Sequence, residues 1–178
     1  FFNGSLYQGS KPVMWSPIEK TALAEAEIEY HDINSTSIYV AFKIKISPDN
    51  FLENTSIVIW TTTPWTIPGN RAIAFGTSID YYLFKVLESD DHQNNGEKFL
   101  VAKSLLKEVC EKCNIKKFEI IKTIKGDRLR NTICNHPFSK IGFDYDIPLL
   151  EAEFVEDSEG TGFVHIAPCY GEDDYNLA

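Results

Sequence analysis

Residues Trp60 to Arg71, W-T-T-T-P-W-T-I-P-G-N-R, set short neutral side chains between two tryptophans and two prolines. Thr61, Thr62, Thr63, Thr66 and Asn70 can each donate and accept a hydrogen bond. Proline fixes φ and removes a donor, and threonine is stiff at χ1, so a rigid array of uncharged partners is expected. Such an array could hold a water or a hydroxylated substrate. A rigid β-turn loop whose threonines bond only the backbone would have the same composition. A second stretch, Gly160 to Tyr175, reads G-T-G-F-V-H-I-A-P-C-Y-G-E-D-D-Y. His165 sits in its apolar segment, Pro168 ends that segment, and Gly171 precedes Glu172, Asp173 and Asp174. Acids in a first helical turn complement the helix dipole, and a lone strand histidine is commonly a core residue. Together, a His at a strand end and an acid one turn into the next helix mark a site at the mouth of a sheet.

The elements that must position these residues are mostly strands. Ile38 to Ile46 alternates apolar and polar positions with period two, as a half-buried strand does. Ser56 to Thr62 carries an unbroken apolar run, as in a strand buried on both faces. Further strands are expected at Arg71 to Phe75, Tyr81 to Leu87, Phe99 to Ala102, Lys117 to Ile124 and Gly162 to Ala167. The polar loop Ser89 to Glu97 is expected to join two strands of a hairpin. One helix is clear, Lys103 to Cys113, with Leu105, Leu106, Val109, Cys110 and Cys113 on one stripe and Ser104 as N-cap. Ser16 to Tyr30 is ambiguous between helix and strand. Many short strands with one or two helices predict a single α+β domain, residues 1–178, around a curved or barrel-like β-sheet.

Composition bounds what this domain can do. The 178 residues are 43% apolar and 13% aromatic, ample for a buried core. Seventeen Lys and Arg against 26 Asp and Glu give a net charge of −9, which argues against a free-standing nucleic-acid binder. The charge is uneven: residues 1–97 sum to −6, residues 98–143 to +7 and residues 144–178 to −10. The basic middle is where phosphate contacts would be expected. Four cysteines are too few for a disulfide framework and are expected as free thiols. The sequons at Asn3, Asn34 and Asn54 are discounted. With no apolar run of membrane-spanning length and no signal peptide, the chain is expected to be soluble and cytoplasmic, and it reads as a piece of something longer.

Cys110 and Cys113 with Cys134 and His136 supply a four-ligand count, but the first pair lies on the apolar helix stripe and the second has a one-residue gap. No metal and no cofactor are expected. There is no G-x-x-x-x-G-K-S/T, G-x-G-x-x-G, G-x-S-x-G or H-E-x-x-H pattern, which removes nucleotide hydrolysis, dinucleotide redox, serine-esterase and metalloprotease readings.

The segment Trp60 to Ile73 resembles the threonine-rich segment of the editing domain inserted in isoleucyl-tRNA synthetase, a class I aminoacyl-tRNA synthetase. Gly160 to Tyr175 resembles that domain's second signature, and Lys11 to Tyr30 resembles its connecting ribbon, expected over residues 1–30. The sister domains of valine and leucine enzymes carry T-T-R-P-E/D-T; here Thr63 stands for the Arg and Trp65 for the acid. Neither synthetic-site motif, H-I-G-H nor K-M-S-K-S, is present. The resemblance implies hydrolysis of valine wrongly esterified to the isoleucine tRNA. Its partners would be the tRNA 3′ end and the rest of the synthetase, with no membrane and a monomeric chain. It also implies roles: Asp174, rather than Asp173, would pair with the substrate α-ammonium. Thr61, Thr62 and Thr63 would line the amino-acid pocket and hold the water, with Thr63 as the steric limit. Thr66, Asn70 and Trp60 would support the loop or touch substrate, and His165 would lie against the side chain or the terminal ribose. Many bacterial relatives read Gly-His at Cys169-Tyr170 and Ala at Gly69, so this form is similar to a eukaryote-like branch. The alternatives are an acceptor-end binding module without useful catalysis, or the editing domain of a valine or leucine enzyme.

Overall fold

A computed structural model describes residues 8–9 and 13–178. Asn3 and the start of the expected ribbon, including Lys11, lie outside the described residues. The chain divides into two compact units, residues 1–34 and 35–178. In the first, Trp15–Ser16 pairs antiparallel with Thr21–Ala22 through a turn in which Lys20 takes a φ of 56°. A single 3-10 turn follows at Glu25–Glu27, where the Glu27 carboxylate accepts the Ala24 N–H at 2.7 Å. The ambiguity over Ser16 to Tyr30 thus resolves as a minimal hairpin and one turn, neither long helix nor long strand.

The second unit is a mixed α+β fold on a nine-stranded sheet. Its strands are β1 (Ile38–Ile46), β2 (Thr55–Thr61), β3 (Ala72–Phe75), β4 (Asp80–Ser89), β5 (Lys98–Ala102), β6 (Ile115–Lys125), β7 (Ile133–Asn135), β8 (Asp146–Glu151) and β9 (Phe163–Ile166). The helices are α1 (Leu106–Lys112) and α2 (Glu172–Leu177). The sheet order is β9-β3-β8-β7-β1-β2-β5-β4-β6. Most pairs are antiparallel, but β2 runs parallel to β5 and β3 parallel to β8. The β4–β5 hairpin closes through a 3-10 turn at His92–Asn94, as the polar loop predicted.

The sheet curls back on itself. The Thr161 carbonyl, just before edge strand β9, accepts the Ala102 N–H at the end of β5 at 2.8 Å. Tyr81 of β4 donates its hydroxyl to the Gly162 carbonyl at 2.8 Å. β4 and β5 stand at the far side of the sheet order from β9, so these bonds require strong curvature, the form the strand pattern implied. Inside the curve, Phe42, Ile57, Ile59, Ile73, Phe75 and Leu100 are fully buried. Each large apolar side chain contributes about 1.5–3 kcal/mol by leaving water. β2 is buried at every position but Trp60, which accounts for its continuous apolar run.

Helix α1 is shorter than its periodicity suggested and is not capped by Ser104. Leu105 is the N-cap without a side-chain bond, and the Ser104 hydroxyl donates instead to the Asp157 carbonyl at 2.7 Å. No described helix is long and apolar enough to cross a membrane.

Candidate functional site

The threonine segment follows β2 directly, so its first hydroxyls emerge where a rigid buried strand ends. Pro64 at the first helical position then starts a 3-10 helix, Pro64–Gly69, where the sequence suggested a β-turn. The polar side chains turn toward one another. Thr63 Oγ1 lies 3.2 Å from Thr61 Oγ1 and 3.4 Å from Thr66 Oγ1. The Thr63 N–H donates to Thr61 Oγ1 at 3.1 Å, and Thr66 Oγ1 donates to the Thr63 carbonyl at 2.8 Å.

Strand β9 pairs with β3, and this register sets His165 opposite Ile73. From there the imidazole reaches two residues in the second half of the threonine segment. Its Nε2 lies 2.9 Å from Thr66 Oγ1 and its Nδ1 lies 2.6 Å from Asn70 Nδ2. Burial lowers the His165 pKa, which the nearby Asp174 carboxylate partly offsets, so the ring is neutral near pH 7. Past the strand end, Tyr170 N–H donates back to the Ala167 carbonyl in a tight turn. Helix α2 then brings Asp174 back over that turn, where its Oδ2 accepts the Ala167 N–H at 2.9 Å. Asp174 is half-buried while Asp173 is exposed, so the two adjacent acids are not equivalent.

These elements enclose a pocket of about 390 Å³. Thr61, Thr62, Thr63 and Thr66 line it together with His165 and Asp174, and among the described residues Asp174 is the sole charged side chain in the lining. Thr62 is exposed on the pocket side, and its carbonyl accepts the Ser35 hydroxyl at 3.1 Å. Trp60 lines the pocket as well. Asn70 does not: it is fully buried, with its amide nitrogen also donating to the Ala72 carbonyl at 2.9 Å, and it supports the loop from behind.

The sequence pattern of class I tRNA synthetases (I, L, M and V) matches residues 1–137. The chain belongs to that family. It is 52% identical to the isoleucine–tRNA ligase of Pelagibacter ubique over 98% of its length and 19% of the ligase. The isoleucine–tRNA ligase of Gluconobacter oxydans is 50% identical, again over 98% of the chain and 19% of the ligase. The chain thus spans about a fifth of the length of these relatives. Among solved structures, the editing domain of P. knowlesi cytosolic leucyl-tRNA synthetase superposes with a TM-score of 0.58 at 14% identity, covering 79% of this chain and 61% of that one. The P. falciparum domain with deleted insertions gives 0.57 at 18% identity, covering 68% and 43%. This synthetase chain therefore has the editing-domain fold.

A supporting layer of this synthetase fold escaped the sequence motifs. His136, considered above as a metal ligand, is buried and lies with Nε2 3.0 Å from the Ile67 carbonyl, while its Nδ1 accepts the Phe138 N–H at 3.1 Å. Both nitrogens are spent on holding the loop. Tyr145 donates to the Pro68 and Asn70 carbonyls, and Arg71 lies 4.3 Å over the Tyr145 ring. No group of three potential metal ligands occurs among the described residues. Burial pushes the Cys110 thiol up to about 12, as suits a core thiol rather than a ligand.

Tyr170, one of the two positions at which the second motif departs from many bacterial relatives, also lines the pocket. A Cβ on Gly69 would lie 2.7 Å from Tyr170 Cε2. The ring and the missing side chain are therefore a matched pair at the pocket mouth. Tyr170 is 60% exposed and can swing away. Gly69→Ala should accordingly cost less than about 1 kcal/mol of stability by thermal unfolding. It should also widen the mouth and raise KM for any ligand of this pocket severalfold. Tyr170→Ala should do the same, and the double variant no more; additive effects would show that the two residues act separately.

Proposed function

We propose that this chain is the editing domain of an isoleucine enzyme, hydrolysing the ester that joins valine wrongly to the isoleucine tRNA. The observation that carries it is the composition of the pocket: neutral threonine hydroxyls and, among its described lining residues, a single carboxylate, Asp174. An α-ammonium needs one anion, and an ester carbonyl with its attacking water needs uncharged donors and acceptors. A pocket of about 390 Å³ lies within the range of small-molecule sites. The isoleucine–tRNA ligase relatives support the choice of amino acid. So does Thr63, which stands where the sister domains for valine and leucine carry Arg. In this reading residues 1–30 are the connecting ribbon to the synthetic core, and the tRNA 3′ end and the rest of the synthetase are the partners.

The chemical need for such a domain is clear. One methylene in an apolar pocket is worth only about 1–3 kcal/mol, a limit for which valine against isoleucine is itself the standard illustration. A second, smaller sieve must therefore reject isoleucine and admit valine. Threonine has no useful basicity near neutral pH, so the rate has to come from positioning the water and from hydrogen bonds to the developing oxyanion. A ribose hydroxyl of the tRNA is a further source of help.

Incubating the chain with valyl- and isoleucyl-tRNA for isoleucine tests the proposal. Selective release of valine supports it. Release no faster than in buffer would favour the rival reading, an acceptor-end binding module. Within the same assay, Thr63→Ala removes the side chain closest to the centre of the hydroxyl wall, and the enlarged pocket should let isoleucine be released as well. A Thr63→Ala chain that still spares isoleucyl-tRNA would show that the size limit lies elsewhere.

A further inference from the structure

The hydrogen bonds around His165 have only one consistent set of directions, and they run from Asn70. The Ala72 carbonyl can only accept, so the Asn70 atom 2.9 Å from it must be the amide nitrogen. The same nitrogen lies 2.6 Å from His165 Nδ1, which must then be an unprotonated acceptor. Asn70 Oδ1 is buried without a partner, which would ordinarily favour turning the amide over. Turning it would set oxygen against the Ala72 oxygen and is worse.

The other end of the ring agrees with this assignment. Thr66 Oγ1 donates its one proton to the Thr63 carbonyl at 2.8 Å. With Nδ1 accepting from Asn70, Nε2 carries the proton and donates it to Thr66 Oγ1, 2.9 Å away. Both nitrogens are thereby committed to protein partners, and the ring keeps none free to take a proton from water.

We infer that Asn70 is a positioning residue that holds His165 as the Nε2–H tautomer and, through Thr66, fixes the hydroxyl wall of the pocket. If the proton sat on Nδ1, Nε2 would become an acceptor and would claim the Thr66 proton. That would break the bond to the Thr63 carbonyl and loosen Thr63 itself, whose Oγ1 lies 3.4 Å from Thr66 Oγ1. Asn70 acts on the reaction without touching substrate. The activity half of this inference rests on the proposed deacylation; the tautomer half does not.

Proton–nitrogen correlation spectra of the histidine rings, recorded at about pH 8 on the full chain, read the tautomer directly. The wild-type chain should show His165 in a single Nε2–H form, with a coupling across the hydrogen bond from Asn70 Nδ2 to Nδ1. Asn70→Asp presents only acceptors and should move the proton to Nδ1. Its kcat for valine release should fall roughly ten- to a hundredfold with a smaller change in KM, as misplacement of a catalytic wall does. A wild-type ring protonated on Nδ1, or an absent cross-bond coupling, overturns the inference, and neither measurement requires the variant to fold. An Asn70→Asp chain that folds and keeps the Nε2–H form also overturns it, as does a shifted tautomer with unchanged kcat. Should the wild-type chain release no valine, the function assigned to the pocket fails, and the ring spectra still judge the tautomer.

Discussion

Asp174→Ala should abolish valine release from valyl-tRNA while leaving the far-ultraviolet circular dichroism unchanged. The carboxylate has two jobs at one place. Its Oδ2 is tied to the Ala167 N–H at 2.9 Å, which pins the start of α2 to the end of β9 and leaves the other oxygen for a ligand. As the sole charged side chain among the described lining residues, it is the group expected to pair with an ammonium under the proposed function. Removing one partner of a desolvated charge pair costs about 2–5 kcal/mol, or roughly thirty- to several-thousandfold in kcat/KM. The structural share is small, about 1 kcal/mol for one lost neighbour of a backbone N–H. Asp174→Asn separates the two jobs, since the amide oxygen can still accept from Ala167 but carries no charge. It should be nearly as inactive as Asp174→Ala and more stable. Asp173→Ala, at the exposed neighbour, should be close to wild type. Valine release that survives Asp174→Ala would remove Asp174 from the reaction.

How much of this was legible in the sequence depends on how far apart the interacting residues lie. The seven strands expected from alternation or apolar runs all form, because those patterns are local consequences of which face is buried. Strands β7 and β8 were not expected. β7 is only three residues, and β8 contains Pro148, which by itself argues against an interior strand. They pair with each other, but their outer partners β1 and β3 are distant in sequence, and the parallel pairing of β3 with β8 leaves no local signature. At the site, both motifs were visible because each is contiguous. Their meeting through His165, Thr66 and Asn70 depends on the β3–β9 register, and the roles of His136 and Tyr145 depend on contacts 69 to 77 residues apart.

Charge shows the same limit. The +7 stretch looked like a face for phosphate, yet Lys116, Lys117, Lys125, Arg128 and Arg130 pair with Asp90, Glu88, Asp80, Asp49 and Glu151, all from the acidic segments on either side. Each exposed pair is worth about 0–1 kcal/mol. Their combined effect is to spend five of that segment's eleven cations on ion pairs within the fold.

Gly162→Ala should be the most damaging small substitution in the second motif, lowering stability by about 2–5 kcal/mol in denaturant unfolding. Two costs add. Gly162 has a φ of +77°, in the left-handed region that a residue with a Cβ enters only at a penalty. An added Cβ would also lie 2.4 Å from Ala102 Cβ, far inside contact distance. Neither neighbour can yield easily. Ala102 is fully buried and donates its N–H to Thr161, while the Gly162 carbonyl takes the Tyr81 hydroxyl. The close approach is what lets the edge strand β9 fold back against β5, so the glycine is where the curvature of the sheet is set. Ala102→Gly in the same chain removes the clash and keeps the φ penalty. The double variant should therefore recover part of the loss, leaving a deficit of about 1–2 kcal/mol. A double variant no better than Gly162→Ala would mean that backbone conformation alone sets the cost. Because β9 carries His165, the valine release that survives in Gly162→Ala should fall in step with the folded fraction, which ties the pocket to the curvature of the sheet.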